Sequence, residues 1–279
     1  MSLLEFGPIA LAVAPNGGRR TKADHPAIPL TARELARTAA ECLDAGAAMI
    51  HAHVRDAAGQ HLLDATAYGE AIAAINAEVG DRLVIQITTE AVGRYRPPEQ
   101  MAVVRAVRPE AVSLGWREFV TSGDEASEGE FAKFLAWMFS ERIAPQVIFY
   151  SAEEAKQFVA FAQRHGFDAA KIPVLFVLGR YTANQTSSPD DLAPFVADGQ
   201  PEFAHWMVCA FGPREADCMA AAARLGGHAR VGFENNFFLP DGTRAADNAA
   251  LIRATAHAVQ SAGASLASAA QLRAAWATP

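Results

Sequence analysis

The sequence predicts an α/β fold, a single (β/α)8 TIM barrel over residues 1–279. Three observations predict it. Short apolar runs alternate with helical patterns eight times along the chain. No linker and no shift in composition divides the 279 residues, a length that one large α/β domain fills. Polar residues recur at the C-terminal ends of the apolar runs, where barrels of this kind gather their chemistry. A doubly wound open sheet is the alternative. The strand–helix turns carry neither Gly-x-Gly-x-x-Gly nor Gly-x-x-x-x-Gly-Lys, which removes the commonest nucleotide-loop arguments.

Residues 9–14 are apolar and end at the turn residues Pro15, Asn16, Gly17 and Gly18, a strand followed by a loop with Arg19, Arg20 and Lys22. Thr31 and Glu34 have capping-box spacing for a helix over 32–45, stopped by Gly46. Residues 49–54 form the second strand. Asp64 or Thr66 caps a helix through 78, with Tyr68, Ile72 and Ile75 at helical spacing. A third strand over 83–87, a helix over 98–107 and a fourth strand over 111–114 follow. Residues 123–129 are small and acidic and read as a loop before a helix over 130–142. A strand over 146–149, a helix over 152–165 and an almost uninterrupted apolar strand over 172–178 come next. Pro189 opens a short helix. A strand over 203–208, a helix over 214–225, an eighth strand over 230–233 and a final helix over 248–262 complete the chain.

The formal net charge is -7 without a long basic run, which argues against a nucleic-acid surface. Cys42, Cys209 and Cys218 are scattered and odd in number, as expected in a reducing compartment. No signal peptide is evident and no apolar run is long enough to span a bilayer, so a cytoplasmic location is expected.

The site begins with His51 and His53. Two residues apart on a strand, they point to one side, while Ile50, Ala52 and Val54 point to the other. Two imidazoles on one face hold a metal ion if a third ligand arrives from elsewhere. In a barrel, strands two and eight flank strand one, so Glu234 at the end of strand eight can reach that ion. Asn16 and Arg19 follow strand one, Arg55 and Asp56 strand two, Thr88 and Thr89 strand three, and Ser113 lies on strand four. Arg230 and Asn235 flank Glu234. Each has a plainer reading. Glu234 can be a helix cap or surface charge, Arg55 and Asp56 a local ion pair, and Arg230 a solvated loop residue. Thr88 and Ser113 can simply satisfy strand-end backbone groups. His205 reads as a hydrogen-bonded core histidine, and His25 and His61 as loop residues without partners. Phe237 and Phe238 read as packing or a subunit contact.

Four segments resemble one family in order and spacing: Ala14-Pro15-Asn16-Gly17, the run from Ile50 to Asp56, Phe176-Val177-Leu178-Gly179, and the run from Gly226 to Asn236. The chain resembles the β-keto acid cleavage enzymes from about Ile9 to its C-terminus. The resemblance implies a zinc-bearing barrel, usually a homotetramer. It also implies a reaction of a β-keto acid with acetyl-CoA that gives acetoacetate and a new acyl-CoA. His51, His53 and Glu234 match the zinc ligands and Arg230 the catalytic arginine. Thr88 and Ser113 match hydroxyls that bind the keto acid, and Asn16 and Arg19 fall among the substrate-binding positions. Zinc there would chelate the ketone and carboxylate oxygens of the keto acid.

Three departures stand out. The family's activating aspartate is Asn235 here, which cannot take up a proton as a carboxylate can. A glutamate that binds an amino group in the type enzyme is Arg19, which predicts an anionic substrate. The family's Thr-Gly-Gly is Thr89-Glu90-Ala91. Besides acyl transfer, two readings remain at this stage: a metal-dependent barrel hydrolase or lyase without CoA, and a binding protein that has lost its base at Asn235.

Overall fold

The computed structural model describes residues 7–121 and 124–277. The strands are β1 (Leu11–Val13), β2 (Met49–Ala52), β3 (Val54–Arg55), β4 (His61–Leu62), β5 (Val84–Thr88), β6 (Ala111–Gly115), β7 (Ala144–Phe149), β8 (Val174–Leu178), β9 (Trp206–Ala210) and β10 (His228–Val231). Eight of them close a barrel in the order β1-β10-β9-β8-β7-β6-β5-β2, and β3 and β4 form a separate hairpin. Every barrel pairing is parallel, as strand–helix–strand connections require. The expected (β/α)8 barrel is the observed one.

Alternation along the strands sorts the core. Leu11, Val13, Ile50, Ile85, Ile87, Val112 and Phe149 pack outward against the helices. Ala12, Met49, Val84, Ala111, Leu175 and Met207 belong to a separate buried cluster that fills the barrel. The helices are α1 (Ala32–Asp44), α2 (Ala65–Val79), α3 (Pro97–Val107), α4 (Trp116–Phe119), α5 (Glu125–Ser140), α6 (Ala152–His165), α7 (Ala193–Val196), α8 (Glu215–Ala223), α9 (Asn248–Ser261) and α10 (Ala269–Trp276). Their starts follow side-chain chemistry. Thr31 and Glu34 close the expected capping box on α1, Asp64 caps α2 and Asp247 caps α9. The helix α10 was not expected. Leu272 and Trp276 join the barrel-filling cluster and close its N-terminal end.

Several boundaries differ from expectation, each for a local reason. Residues 125–129 are the first turns of α5 rather than loop, because Asp124 accepts from the Ala126 backbone and caps the helix; Gly123 lies outside the described residues. The last barrel strand is β10, over His228–Val231, two residues earlier than expected. Gly232, at φ 142, ends it, and a Cβ there would lie 2.4 Å from the Ala14 carbonyl oxygen. Val54 belongs to the hairpin, paired with Leu62, and His53 stands at the break between β2 and β3. His205 precedes β9, half-buried at the N-terminal end, and is no core histidine. His25 and His61 are buried and partnered: His25 Nε2 lies 3.0 Å from the Ala245 carbonyl, and His61 Nε2 lies 2.8 Å from that of Glu90.

Candidate active site

The registers place the site. Ala12 pairs with Arg230 on one side and Met49 on the other, so β10 and β2 flank β1 as the sequence reading required. Past β10 the chain turns at Gly232, and the Glu234 amide donates to the Ala14 carbonyl at 3.1 Å. This turns the Glu234 carboxylate back over the barrel mouth. Gly17, at φ 58, permits the approach: a Cβ there would sit 2.6 Å from Glu234 Cγ.

His51, His53 and Glu234 meet there. The two Nε2 atoms are 3.0 Å apart, and each lies 3.6 Å from Glu234 Oε2. Both histidines are at most 1% exposed. Among the described residues this trio is the group of ligating side chains able to hold a metal ion. The spacing fits one ion, since bonds of about 2.0–2.1 Å in a tetrahedral site put ligand atoms roughly 3.3 Å apart. The polar atoms fit as well. His51 Nδ1 donates to Gln86 Oε1 at 2.7 Å, which leaves the Nε2 lone pair bare, and Glu234 Oε2 is buried without a hydrogen-bond partner. Burial, and then the charge of Arg230, holds His51 far below its usual pKa, in the neutral form that ligates. Burial works against ionisation of Glu234, but the charge of Arg230 leads the effects that outweigh it and keep the carboxylate charged.

Gln86 sits opposite His51 in the β2–β5 register. Its amide nitrogen donates to Gln146 Oε1 at 3.1 Å, a polar strut across the barrel interior. Asn16 is fully buried. Its amide donates to the His53 carbonyl at 2.8 Å and the Pro29 carbonyl at 2.9 Å, so it anchors the His53 backbone. Arg55 is also consumed by backbone: its guanidinium donates to the carbonyls of Asn16, Gly17, Arg20 and Gly59. It ties the first loop to the hairpin instead of pairing with Asp56, whose carboxylate caps the hairpin turn at Ala58 and Gln60.

A cavity of about 250 Å³ opens above the trio. Arg230 lines it, 3% exposed, with Nη2 3.5 Å from Glu234 Oε1 and with Nε and Nη1 unpartnered. Thr88 lines it too, its hydroxyl accepting from the Glu90 amide at 3.0 Å. Ser113 lies behind, donating to Thr88 Oγ1 at 3.4 Å. Arg19 is exposed at the rim. Asn235 is buried with both side-chain polar atoms unpartnered, and it is not among the cavity-lining residues. Sequence reasoning missed Gln86, Arg20, Glu90, Tyr150 and Arg180. Gln86 carried a usable signal, a lone amide between Ile85 and Ile87 at the inward phase of a buried strand. The cavity walls hold four guanidiniums, of Arg19, Arg20, Arg180 and Arg230, against the carboxylates of Asp24, Glu90 and Glu234. A divalent ion would make that balance strongly positive.

Residues 8–277 match the family model described as beta-keto acid cleavage enzyme. The chain belongs to that family. It is an enzyme of the acyltransferase kind. A 3-keto-5-aminohexanoate cleavage enzyme of Fusobacterium nucleatum subsp. nucleatum is 30% identical over 244 residues, 85% of each chain. A 3-oxoadipate:acetyl-CoA acetyltransferase of Cupriavidus necator is 27% identical over 272 residues, 96% of this chain and 94% of the other. Among solved structures, ObcA in its binary complex with oxaloacetate superposes with a TM-score of 0.70 at 16% identity, over 91% of this chain and 68% of that one. At that identity the likeness is one of fold. Among the described residues no helix is long and apolar enough to cross a membrane.

Proposed function

We propose that the chain is a zinc-dependent enzyme that condenses an anionic β-keto acid with acetyl-CoA and releases acetoacetate and a new acyl-CoA. The observation that carries this reading is the convergence of His51 Nε2, His53 Nε2 and Glu234 Oε2 beneath a cationic cavity, in a chain of this family. Three protein ligands leave room for substrate oxygens, as catalytic zinc requires. When bound, the ion would polarise the keto acid's ketone.

The protein's own groups do the rest. Arg230, with two unpartnered nitrogens, binds the substrate carboxylate, and Thr88, backed by Ser113, orients it. Asn16 holds His53 in place, and Arg19 at the rim favours an anionic substrate. Forming the carbon nucleophile needs a group that takes a proton. The amide of Asn235 cannot, so a role there is limited to hydrogen bonding. Asp24 accepts hydrogen bonds from Thr21, and Glu234 is committed to the ion. Glu90 lines the cavity, with Oε2 3.8 Å from His53 Nδ1, and makes no side-chain hydrogen bond among the described residues. The reading therefore gives the proton to Glu90.

The test is incubation of the zinc-loaded protein with acetyl-CoA and a panel of β-keto acids. Acetoacetate is the expected product. Metal-dependent turnover of the keto acid without acetyl-CoA would instead mark a hydrolase or lyase.

A further inference from the structure

Resting on the reading above, we propose that Arg20 and Arg180 form a subsite for a second carboxylate, so that the substrate is a β-keto dicarboxylic acid. The two side chains come from distant parts of the chain, one from the loop after β1 and one from the loop after β8. Both line the cavity that holds His51, His53 and Glu234. Neither makes an ion pair among the described residues. Arg273, likewise half-buried, pairs with Glu110, and the more exposed Arg117 pairs with Glu154 at 2.6 Å. Two guanidiniums in one cavity, neither in ion-pair contact with a carboxylate among the described residues, are electrostatically incomplete, and an anion between them resolves the repulsion.

Their surroundings orient them for that task. The Arg20 guanidinium lies 4.3 Å over the Phe237 ring, and its Nε donates to the Glu234 carbonyl at 3.4 Å. The Arg180 guanidinium lies 5.3 Å from the ring of Phe211, which also lines the cavity. Stacking fixes the planes and leaves the terminal nitrogens free. Burial disfavours the charge on Arg20, Asp24 supports it and Arg180 opposes it. Asp24 Oδ2 accepts from the Thr21 amide at 2.7 Å and from the Thr21 hydroxyl at 3.3 Å, and Asp24 makes no ion pair with Arg20. Arg230 already serves the carboxylate beside the metal trio. The Arg20–Arg180 pair is therefore a second anion site in the same cavity. Arg19, the rim residue to which the sequence assigned this preference, is exposed and stands outside the pair.

A phosphate of the acyl-CoA has the same anionic chemistry, so the test separates the two. The zinc-loaded protein is titrated calorimetrically, without acetyl-CoA, with 3-oxoadipate and with 3-oxohexanoate, which has the same carbon chain and one carboxylate. The variants Arg20→Gln and Arg180→Gln are titrated alongside. Thermal unfolding checks folding, and Arg20→Lys and Arg180→Lys retain the charge. The wild type is expected to prefer the dicarboxylate roughly 10- to 100-fold, a preference that collapses toward unity in both Gln variants and survives in part in the Lys variants. An unchanged preference in the Gln variants overturns the proposal. So does a raised KM for acetyl-CoA with dicarboxylate binding intact, which assigns the pair to a CoA phosphate. If the preference follows the arginines but no acetoacetate forms from any keto acid, the subsite stands and the acyl-transfer reading falls.

Discussion

The two ends of the barrel treat polar atoms differently. At the N-terminal end, Arg273 is fully used, bonding Glu110 and the carbonyls of Asp81 and Leu83, and Leu272 and Trp276 seal the interior, with Trp276 Nε1 itself buried without a partner. At the C-terminal end, buried polar atoms are left without partners: His53 Nδ1, Glu234 Oε2, two nitrogens of Arg230 and both polar atoms of Asn235. An unpartnered buried polar group costs about 1–3 kcal/mol. Such costs, concentrated in and beside the cavity at the C-terminal end, mark it as the end built to be completed by something outside the chain.

The largest effect tests that contrast on chemistry. Glu90→Gln is expected to lower kcat by roughly 10²- to 10⁴-fold with the metal content unchanged, and Asn235→Asp to recover part of the loss. Steady-state assays paired with metal analysis read both, and an unaffected kcat removes Glu90 from the reaction. Gln86→Ala comes next. It frees His51 Nδ1 and is expected to weaken zinc affinity about 10- to 100-fold, measured against a competing chelator.

The sealed end predicts the converse. Leu272→Ala opens a cavity under the barrel and costs about 2–4 kcal/mol in denaturant unfolding, with zinc affinity kept. Loss of metal binding in that variant would mean that the two ends are not independent. The smallest effect concerns Glu118, behind the Glu90 loop. It accepts from the Ala91 amide at 3.0 Å and the Gln100 amide at 2.8 Å. Burial, opposed by these hydrogen bonds and reinforced by the nearby Glu90 charge, raises its pKa to about 7. A carboxyl with a raised folded pKa contributes stability that is full below its unfolded pKa and declines as pH rises toward the folded value. Glu118→Gln is therefore expected to flatten the fall in stability between about pH 4.5 and pH 7. Urea midpoints across that range measure it, and an unaltered slope contradicts the shift.

The sealed regions were the legible ones. Apolar alternation around Ile50, Ile85 and Val112 reports burial directly, so the barrel could be read from local pattern. His51 and His53 were legible because their spacing and strand phase lie in one short segment. Glu234 needed barrel closure to bring β10 beside β1, and sequence pattern alone left it open as a surface charge. Arg20 and Arg180 are 160 residues apart and acquire meaning only beside each other. Asn16 and Arg55 stand in conspicuous polar positions yet serve the backbone, because nearby carbonyls at the barrel mouth lack other donors. The α5 start was missed because a run of small and acidic residues reads as loop until Asp124 is seen capping it.

The most direct test is metal stoichiometry. Protein stripped with a chelator, re-equilibrated with zinc and measured by elemental analysis is expected to hold one ion per chain. His53→Ala and Glu234→Ala, each checked for folding by circular dichroism, are expected to lose it. A folded wild type that takes up no zinc, or variants that bind it as tightly as the wild type, would contradict the site.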